Sequence, residues 1–469
     1  MRRLILFAIV VCAIAALGGL AVRPISDDWP TLRHTARWAQ NGTIVAESLR
    51  PQVIHWSPLW FWTDSICYRL TPASYGIAAL TFVRFAFLLI ACIALLLVGQ
   101  AILPVRTGEI ACPTSIGIAA GMAILVFHQA GIATLYQWKG IGALAGHALG
   151  ALAFATMVRG RSLLAGAILF AGLLFKEDVI TWAALIVVYA LFAKRWRDIV
   201  PAIGASAVFV LLRQLAGTPL SLANAAGEMG ERYHLVFAPE VWARNVAQLV
   251  TATLSPISTV RWIDAIAVHD TKMLALFVAI TVIVNIAILR VAPASSRRPG
   301  SAGRMPAPHV LVAMLVSCFP IALLNHVNES YATPLIFWYA LLVAFASSWR
   351  RVVVVALIVM HAAFFVEKRA IMIDFSHREE AAGVAVARAA SQLPAGSSVW
   401  ITCAPLPGHY SFFRSFAGDQ AGIVEIAHRR VPVTVAPFHY QYAMRVALDG
   451  SVAVLRSPDG WPGNLVTPY

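Results

Sequence analysis

Residues 1–30 read MRRLILFAIVVCAIAALGGLAVRPISDDWP. Two arginines precede an apolar run over residues 4–22, and two adjacent aspartates, Asp27 and Asp28, follow a few residues beyond it. A run of ~20 apolar residues is the length of a membrane-crossing helix. The charged start has the form of a secretory leader. No small-x-small cleavage site is followed by a soluble chain, however, and further apolar runs come later, so the stretch reads as an uncleaved first span.

The rest of the chain supports that reading. Its 469 residues are 59% hydrophobic and 12% charged, where a soluble domain is typically about 45–50% apolar and about 25% charged. The excess sits in long runs, which makes this an all-α polytopic membrane protein. A net charge of +14 invites a nucleic-acid reading, but the basic residues are scattered in pairs between apolar runs. That pattern orients a membrane protein and predicts no nucleic-acid partner. The six cysteines show no metal or redox spacing.

Eleven apolar runs qualify as spans, over roughly 4–22, 76–100, 114–132, 140–158, 162–175, 179–193, 199–216, 272–291, 309–326, 331–348 and 352–366. The pair 162–175 and 179–193 reads equally as two short spans or as a re-entrant hairpin. Run 140–158 is rich in Gly and Ala, which favours close helix packing. With the N-terminus in the cytoplasm, the inner connections carry Arg2, Arg3, Arg106, Arg159, Arg161, Lys194, Arg195, Arg197, Arg290, Arg297, Arg298, Arg304, Arg350 and Arg351. The short outer connections carry only Lys139 and Lys176, a consistent positive-inside pattern. Of the 22 acidic residues, only Glu109 and Asp198 fall on inner connections. The outer face is therefore the chemically furnished one.

The expected organisation is a membrane domain over 1–366, with outer loops 23–75 and 217–271, followed by a small periplasmic α/β domain over 367–469. Within the first loop, DDWPTLRHTARWAQNG predicts a helix ending at Asn41-Gly42, lying in the interface with Trp29 and Trp38 as anchors. The very aromatic HWSPLWFWTD, residues 55–64, is expected to dip toward the membrane. The second loop carries Glu228, Glu231, Arg232, Tyr233 and His234, then a helix from Pro239. In the C-terminal region a helix, a Pro-Ala-Gly turn and short strands in VWITC, AGIVEIAH, VPVTVAP and SVAVLRS are expected. The stretch 293–308 reads as a Pro/Gly/Ser/Arg linker.

Two outer-face motifs carry candidate chemistry. One aspartate suffices to cap a helix, an effect of ~1 kcal/mol. Asp27 and Asp28 together can divide the work, one capping and the other acting on a substrate. The second motif is LLFKEDVITW, residues 173–182, where Lys176, Glu177 and Asp178 interrupt an apolar stretch. A charge at mid-bilayer costs about 2.5–3.5 kcal/mol on insertion scales, which marks such residues as functional candidates. A tight outer turn with a snorkelling lysine and a capping acid explains them equally well. As a compact cation, Lys176 suits a lipid phosphate. Arg84 and His147 lie some way into their spans; His147 reads chiefly as an interhelix hydrogen-bonder. His55, Asp64, His128 and NHVNES, residues 325–330, add polar groups at the same face.

This arrangement resembles the GT-C superfamily of membrane glycosyltransferases, most closely its protein O-mannosyltransferase and aminoarabinose-transferase branch. A cytoplasmic N-terminus, one span and an acidic pair just past the membrane match Asp27-Asp28. A later Leu-x-x-Lys-Glu hairpin matches Leu173 to Glu177, and a small outer domain follows the last span. The resemblance implies a sugar donor on a polyprenyl phosphate, an acceptor hydroxyl on a lipid, glycan or protein, and inversion at the anomeric carbon. It makes Asp27 the general base, with Asp28 orienting it or taking its place. Lys176 and Arg84 would neutralise the phosphate with help from His55, and Glu177 and Asp178 would support them. Some members of that superfamily use a divalent metal and others do not; no clear ligand set stands out in this sequence.

A multi-span transporter or flippase is the main rival, but the ionisable groups crowd one face instead of tracing a path across the bilayer. A glycan polymerase or ligase, and a scaffold that displays the C-terminal segment, are further alternatives. Arg far outnumbers Lys, which points to a GC-rich bacterium and hence to the inner membrane, with the site facing the periplasm.

Overall fold

The computed structural model describes residues 1–25, 28–50, 56–102, 111–218, 236–291, 307–325, 327, 329–346, 351–394, 398–403, 434–435, 442–446 and 451–456. In chain order the helices are α1 Arg2–Leu17, α2 Asp28–Asn41, α3 Ile44–Ser48, α4 Pro58–Leu70, α5 Ile77–Ile102 and α6 Ala111–Phe127. There follow α7 Ile132–Tyr136, α8 Ile141–Val158, α9 Ser162–Phe175, α10 Ile180–Phe192 and α11 Ile199–Leu215. The last six are α12 Pro239–Leu254, α13 Thr259–Ala267, α14 Thr271–Val291, α15 Ala307–Ala322, α16 Thr333–Ala346 and α17 Arg351–Ala390.

Each of the eleven apolar runs coincides with a helix, so the protein is a helical multi-pass membrane protein. Among the described residues, five helices are long and apolar enough to cross a bilayer unaided: Arg2–Ala21, Ile77–Ala101, Trp138–Val158, Trp196–Leu215 and Thr271–Ile288. The pair Ser115–Phe127 and Gln129–Tyr136, bent by 43°, is together apolar and long enough to be a sixth, broken span or a re-entrant loop. His128 sits at that bend. Its Nδ1 accepts the Ala130 N–H at 3.2 Å, and its Nε2 donates to the Thr253 carbonyl at 2.9 Å. Helices α9 and α10 have 14 and 13 residues, which at 1.5 Å per residue is ~20 Å each, short of the ~30 Å hydrocarbon thickness.

Helix α8 lies at the centre of the bundle, packed against α5, α9, α10 and α16. Its glycines explain how. Gly142, Gly146 and Gly150 share one face, and a Cβ on each would run into the Trp60 ring, Val179 and the Trp182 ring respectively. Helix–helix contact in lipid depends on such close approach, because burial of apolar surface supplies little drive there.

Helix α2 starts and stops as its sequence predicts, with Gly42 at φ 70° just past Asn41. Its aromatic residues face elsewhere than expected. Trp29 and Trp38 are buried against the protein, Trp29 edge-on to Tyr75 at 5.5 Å and Trp38 edge-on to Phe61 at 5.9 Å. They anchor α2 to α4 and the start of α5, and not to lipid headgroups. The helix expected from Pro239 is α12. The second loop's Glu228, Glu231, Arg232, Tyr233 and His234 lie outside the described residues, as does the strand expected in AGIVEIAH.

The expected boundary at residue 366 falls inside α17, which runs unbroken for 40 residues. No proline interrupts it, and its buried face continues through Phe365, Lys368, Met372, Phe375, Ser376 and Glu379. Beyond it lie β1 Ser398–Cys403, β2 Thr434–Val435, β3 Tyr442–Val446 and β4 Val452–Arg456. They form one sheet in the order β2-β1-β3-β4, with β1 parallel to β2 and β3, and β4 antiparallel to β3. Strand β3 lies in a stretch not expected to be extended.

One buried and one exposed ion pair tie the middle of α17 to its surroundings. Lys368 pairs with Glu329, both side chains almost wholly buried, and its Nζ also donates to Thr259 Oγ1 at 2.9 Å. At the adjacent Glu367, Arg261 Nε donates to Oε1 at 2.7 Å in the exposed pair.

Candidate functional site

Of the acid pair, the structure describes Asp28; Asp27 lies outside the described residues, as does His55. Asp28 opens α2 and is fully buried. Its Oδ2 accepts the N–H of Ile25 at 3.0 Å and of Trp138 at 2.9 Å, and its Oδ1 accepts the N–H of Lys139 at 3.0 Å. Burial pushes its carboxyl above the ordinary value, opposed by the Lys139 charge and by the three N–H bonds. A carboxylate so enclosed and so committed has little capacity left for a substrate proton. Asp28 staples the start of α2 to the 138–140 turn.

Arg84, on α5, is buried beneath this turn. Its Nη2 donates to the carbonyls of Tyr136 and Gln137, each at 3.2 Å. The approach is close enough that a Cβ at Gly19 would stand 3.0 Å from Nη1. Arg84 therefore braces the turn that holds Asp28. Asp64, on α4, is also fully buried. Neither of its oxygens makes a hydrogen bond of normal geometry among the described residues, although the Trp60 indole lies alongside. Burial, joined by repulsion from Asp28, pushes its carboxyl well up, against the pull of Trp60 and Arg84.

Helix α4 links this acidic corner to the second motif. At its N-terminal end Ser57 Oγ donates to Glu177 Oε2 at 3.3 Å, and the Trp60 ring lies 5.7 Å below Lys176 Nζ. On the other side Lys176 Nζ lies 6.0 Å from the Tyr331 ring. Cation–π contacts hold a cation without neutralising it, and no carboxylate pairs with Lys176 among the described residues. Asp178 faces inward to His147, Oδ1 to Nε2 at 3.5 Å. His147 Nδ1 accepts the Trp182 indole N–H at 3.2 Å, which places the imidazole proton on Nε2, toward Asp178. The His147 reading as an interhelix hydrogen-bonder is thus what the structure contains.

His147 and Trp182 also border a narrow internal cavity of about 50 Å³, lined largely by apolar groups that include Leu144, Ile336 and Phe337. Among the described residues no three His, Cys, Asp or Glu side chains converge as a metal site would require.

Helix α4 thus touches both motifs at different points: Asp28 and Arg84 near Asp64 at its middle, and Lys176 and Glu177 near Trp60 and Ser57 at its N-terminal end. Asp64 was visible in the sequence only as one more outer polar group. The signal was there, a lone acid within a tryptophan-rich run.

No family model and no curated protein matches the chain. Among solved structures it is similar to the crystal structure of ArnT from Cupriavidus metallidurans bound to undecaprenyl phosphate, at 13% identity and a TM-score of 0.48, over 95% of this chain and 93% of that one. It is likewise similar to the same protein in the apo state, at 12% identity and a TM-score of 0.49, with the same coverage. At such identity no residue of this chain is assigned by correspondence, and the site stands on its own geometry: a helical membrane protein with an acidic corner at the middle of one short helix and an aromatic-flanked lysine at its N-terminal end.

Proposed function

We propose that the chain is a glycosyltransferase that moves a sugar from a polyprenyl-phosphate donor to an acceptor hydroxyl on a lipid, glycan or protein at the outer face of the bacterial inner membrane. The N-terminus is cytoplasmic, the C-terminal segment periplasmic, and the eleven helices coinciding with apolar runs are the spans. The observation that carries the reading is Lys176, a cation on aromatic faces with no carboxylate partner among the described residues, joined through α4 to the acid pair.

Asp27 takes the proton of the acceptor hydroxyl as that oxygen attacks the anomeric carbon. The bond from that carbon to the phosphate oxygen breaks, and polyprenyl phosphate departs with the electron pair, giving inversion. A positioned base contributes typically 10²–10⁴-fold. Lys176 meets the negative charge that grows on the leaving phosphate. Glu177 and Asp178 fix the turn that presents it, Asp28 and Arg84 fix the backbone around Asp27, and His55 assists. The acceptor side falls to the segment beyond α17, retained here as a separate periplasmic unit.

The test offers purified protein a radiolabelled polyprenyl-phosphate sugar together with extracted membrane lipids, glycans and proteins. Transfer of label with release of polyprenyl phosphate, lost in Asp27→Asn and in Lys176→Ala, supports the reading. Full transfer by the Asp27→Asn, Asp28→Asn double variant ends it.

A further inference from the structure

The segment that delivers the acid pair, residues 18–25, is held chiefly from the far end of the chain. Arg369 Nε donates to the Gly18 carbonyl at 3.0 Å, and His377 Nε2 donates to the Ala21 carbonyl at 3.1 Å. Ser376 Oγ accepts the Arg23 N–H at 3.1 Å. All three partners lie on the outer part of α17. Glu380, one turn further on, does more. Its Oε2 faces Arg23 Nε at 3.4 Å, while its Oε1 accepts the Tyr75 hydroxyl at 2.9 Å.

Tyr75 connects onward. Its carbonyl accepts the Trp138 indole N–H at 2.9 Å, and its ring takes the edge of Trp29. Trp138 is the residue whose backbone N–H binds Asp28, and Trp29 is its neighbour in sequence. Tyr75 also adopts φ 54°, a left-handed conformation that a bulky side chain keeps only when its surroundings hold it there. Glu380 thus bonds both to the strand entering the acid pair and to the strained turn packed behind it.

We propose that Glu380 is a positioning residue for the Asp27-Asp28 segment, acting through Arg23 and Tyr75, so that α17 sets the attitude of the acids as well as joining the membrane bundle to the sheet. For catalysis this rests on the transferase reading; for the placement of the segment it does not.

The experiment compares the full-length protein with Glu380→Ala, Glu380→Gln and Tyr75→Phe. Amide hydrogen exchange is followed over 18–30 and, as a reference, over 141–158. Glu380→Ala is expected to speed exchange over 18–30 by about tenfold and to leave 141–158 unchanged. Glu380→Gln keeps an acceptor for Tyr75 and falls between, and adding Tyr75→Phe to Glu380→Ala adds little, because both cut one chain of contacts. In the transfer assay the same variants lower kcat while the donor KM stays put. Unchanged exchange over 18–30, or full additivity of the two substitutions, overturns the proposal. Faster exchange in Glu380→Ala, beside a wild type that transfers no sugar, keeps Glu380 as the positioning residue and removes the transferase reading alone.

Discussion

His147 and Asp178 face each other inside the helical bundle at 3.5 Å, Nε2 to Oδ1, with the Trp182 indole fixing the other ring nitrogen. They belong to different helical elements, α8 and the turn between α9 and α10. The pair therefore pins the turn that carries Lys176. Removing one partner leaves the other buried and unsatisfied, a cost of about 1–3 kcal/mol. His147→Ala and Asp178→Ala are each expected to lower stability by that amount in detergent, and the double variant by clearly less than their sum. Thermal unfolding of the four proteins reads the coupling.

The two aspartates are expected to fail in different ways. Asp28→Asn loses acceptor capacity for one of three backbone N–H groups and turns an amide N–H₂ toward donors. It should cost about 1–3 kcal/mol of stability and reduce transfer in step. Asp27→Asn should leave unfolding unchanged and lower transfer by ~10²-fold or more. Unfolding curves measured beside transfer rates separate the two.

Asp64 predicts a pH dependence. Its carboxyl is held well above 3.8 in the folded protein, mainly by burial, so the folded chain binds that proton more tightly than the unfolded one. The resulting stabilisation is complete below 3.8 and is lost as pH rises through the raised value, by at most about 1.4 kcal/mol per pH unit. Asp64→Asn keeps the neutral shape at every pH. Its melting temperature is expected to fall less steeply than that of the wild type as pH rises above 3.8.

The Lys368–Glu329 pair is almost wholly buried, so breaking it and replacing it are different experiments. Glu329→Ala strands an ammonium group and should cost about 3–5 kcal/mol, whereas Lys368→Met with Glu329→Leu restores an apolar match and should stay near the wild type. Stability in detergent distinguishes them. If the single and double variants are equally unstable, the pair's charge is not what matters there.

Much of the frame was legible because it is local. The apolar runs became helices, α2 stopped at Asn41-Gly42, and the Gly142-Gly146-Gly150 face marked close packing. The division of labour in the acid pair was legible as an idea, since one carboxylate has more capacity than a cap requires. Which acid anchors was not, because the Trp138 and Lys139 N–H groups lie over a hundred residues away. The bracing role of Arg84 was hidden because an arginine in a span looks idle until the carbonyls of Tyr136 and Gln137 are placed beside it. Trp29 and Trp38 read as interface anchors for the same reason: amphipathic spacing shows that a face is apolar, not whether lipid or protein covers it. Glu380 carried no local signal at all.

At 1.5 Å per residue, the 40 residues of α17 measure about 60 Å, twice the hydrocarbon thickness. A rod of that length without a proline pivots more readily than it bends. Whatever loads the sheet at its tip is felt as leverage at residues 369–380, where the rod leans on the leader into the acids. A turn of its outer half would shift the Gly18 and Ala21 carbonyls that Arg369 and His377 hold.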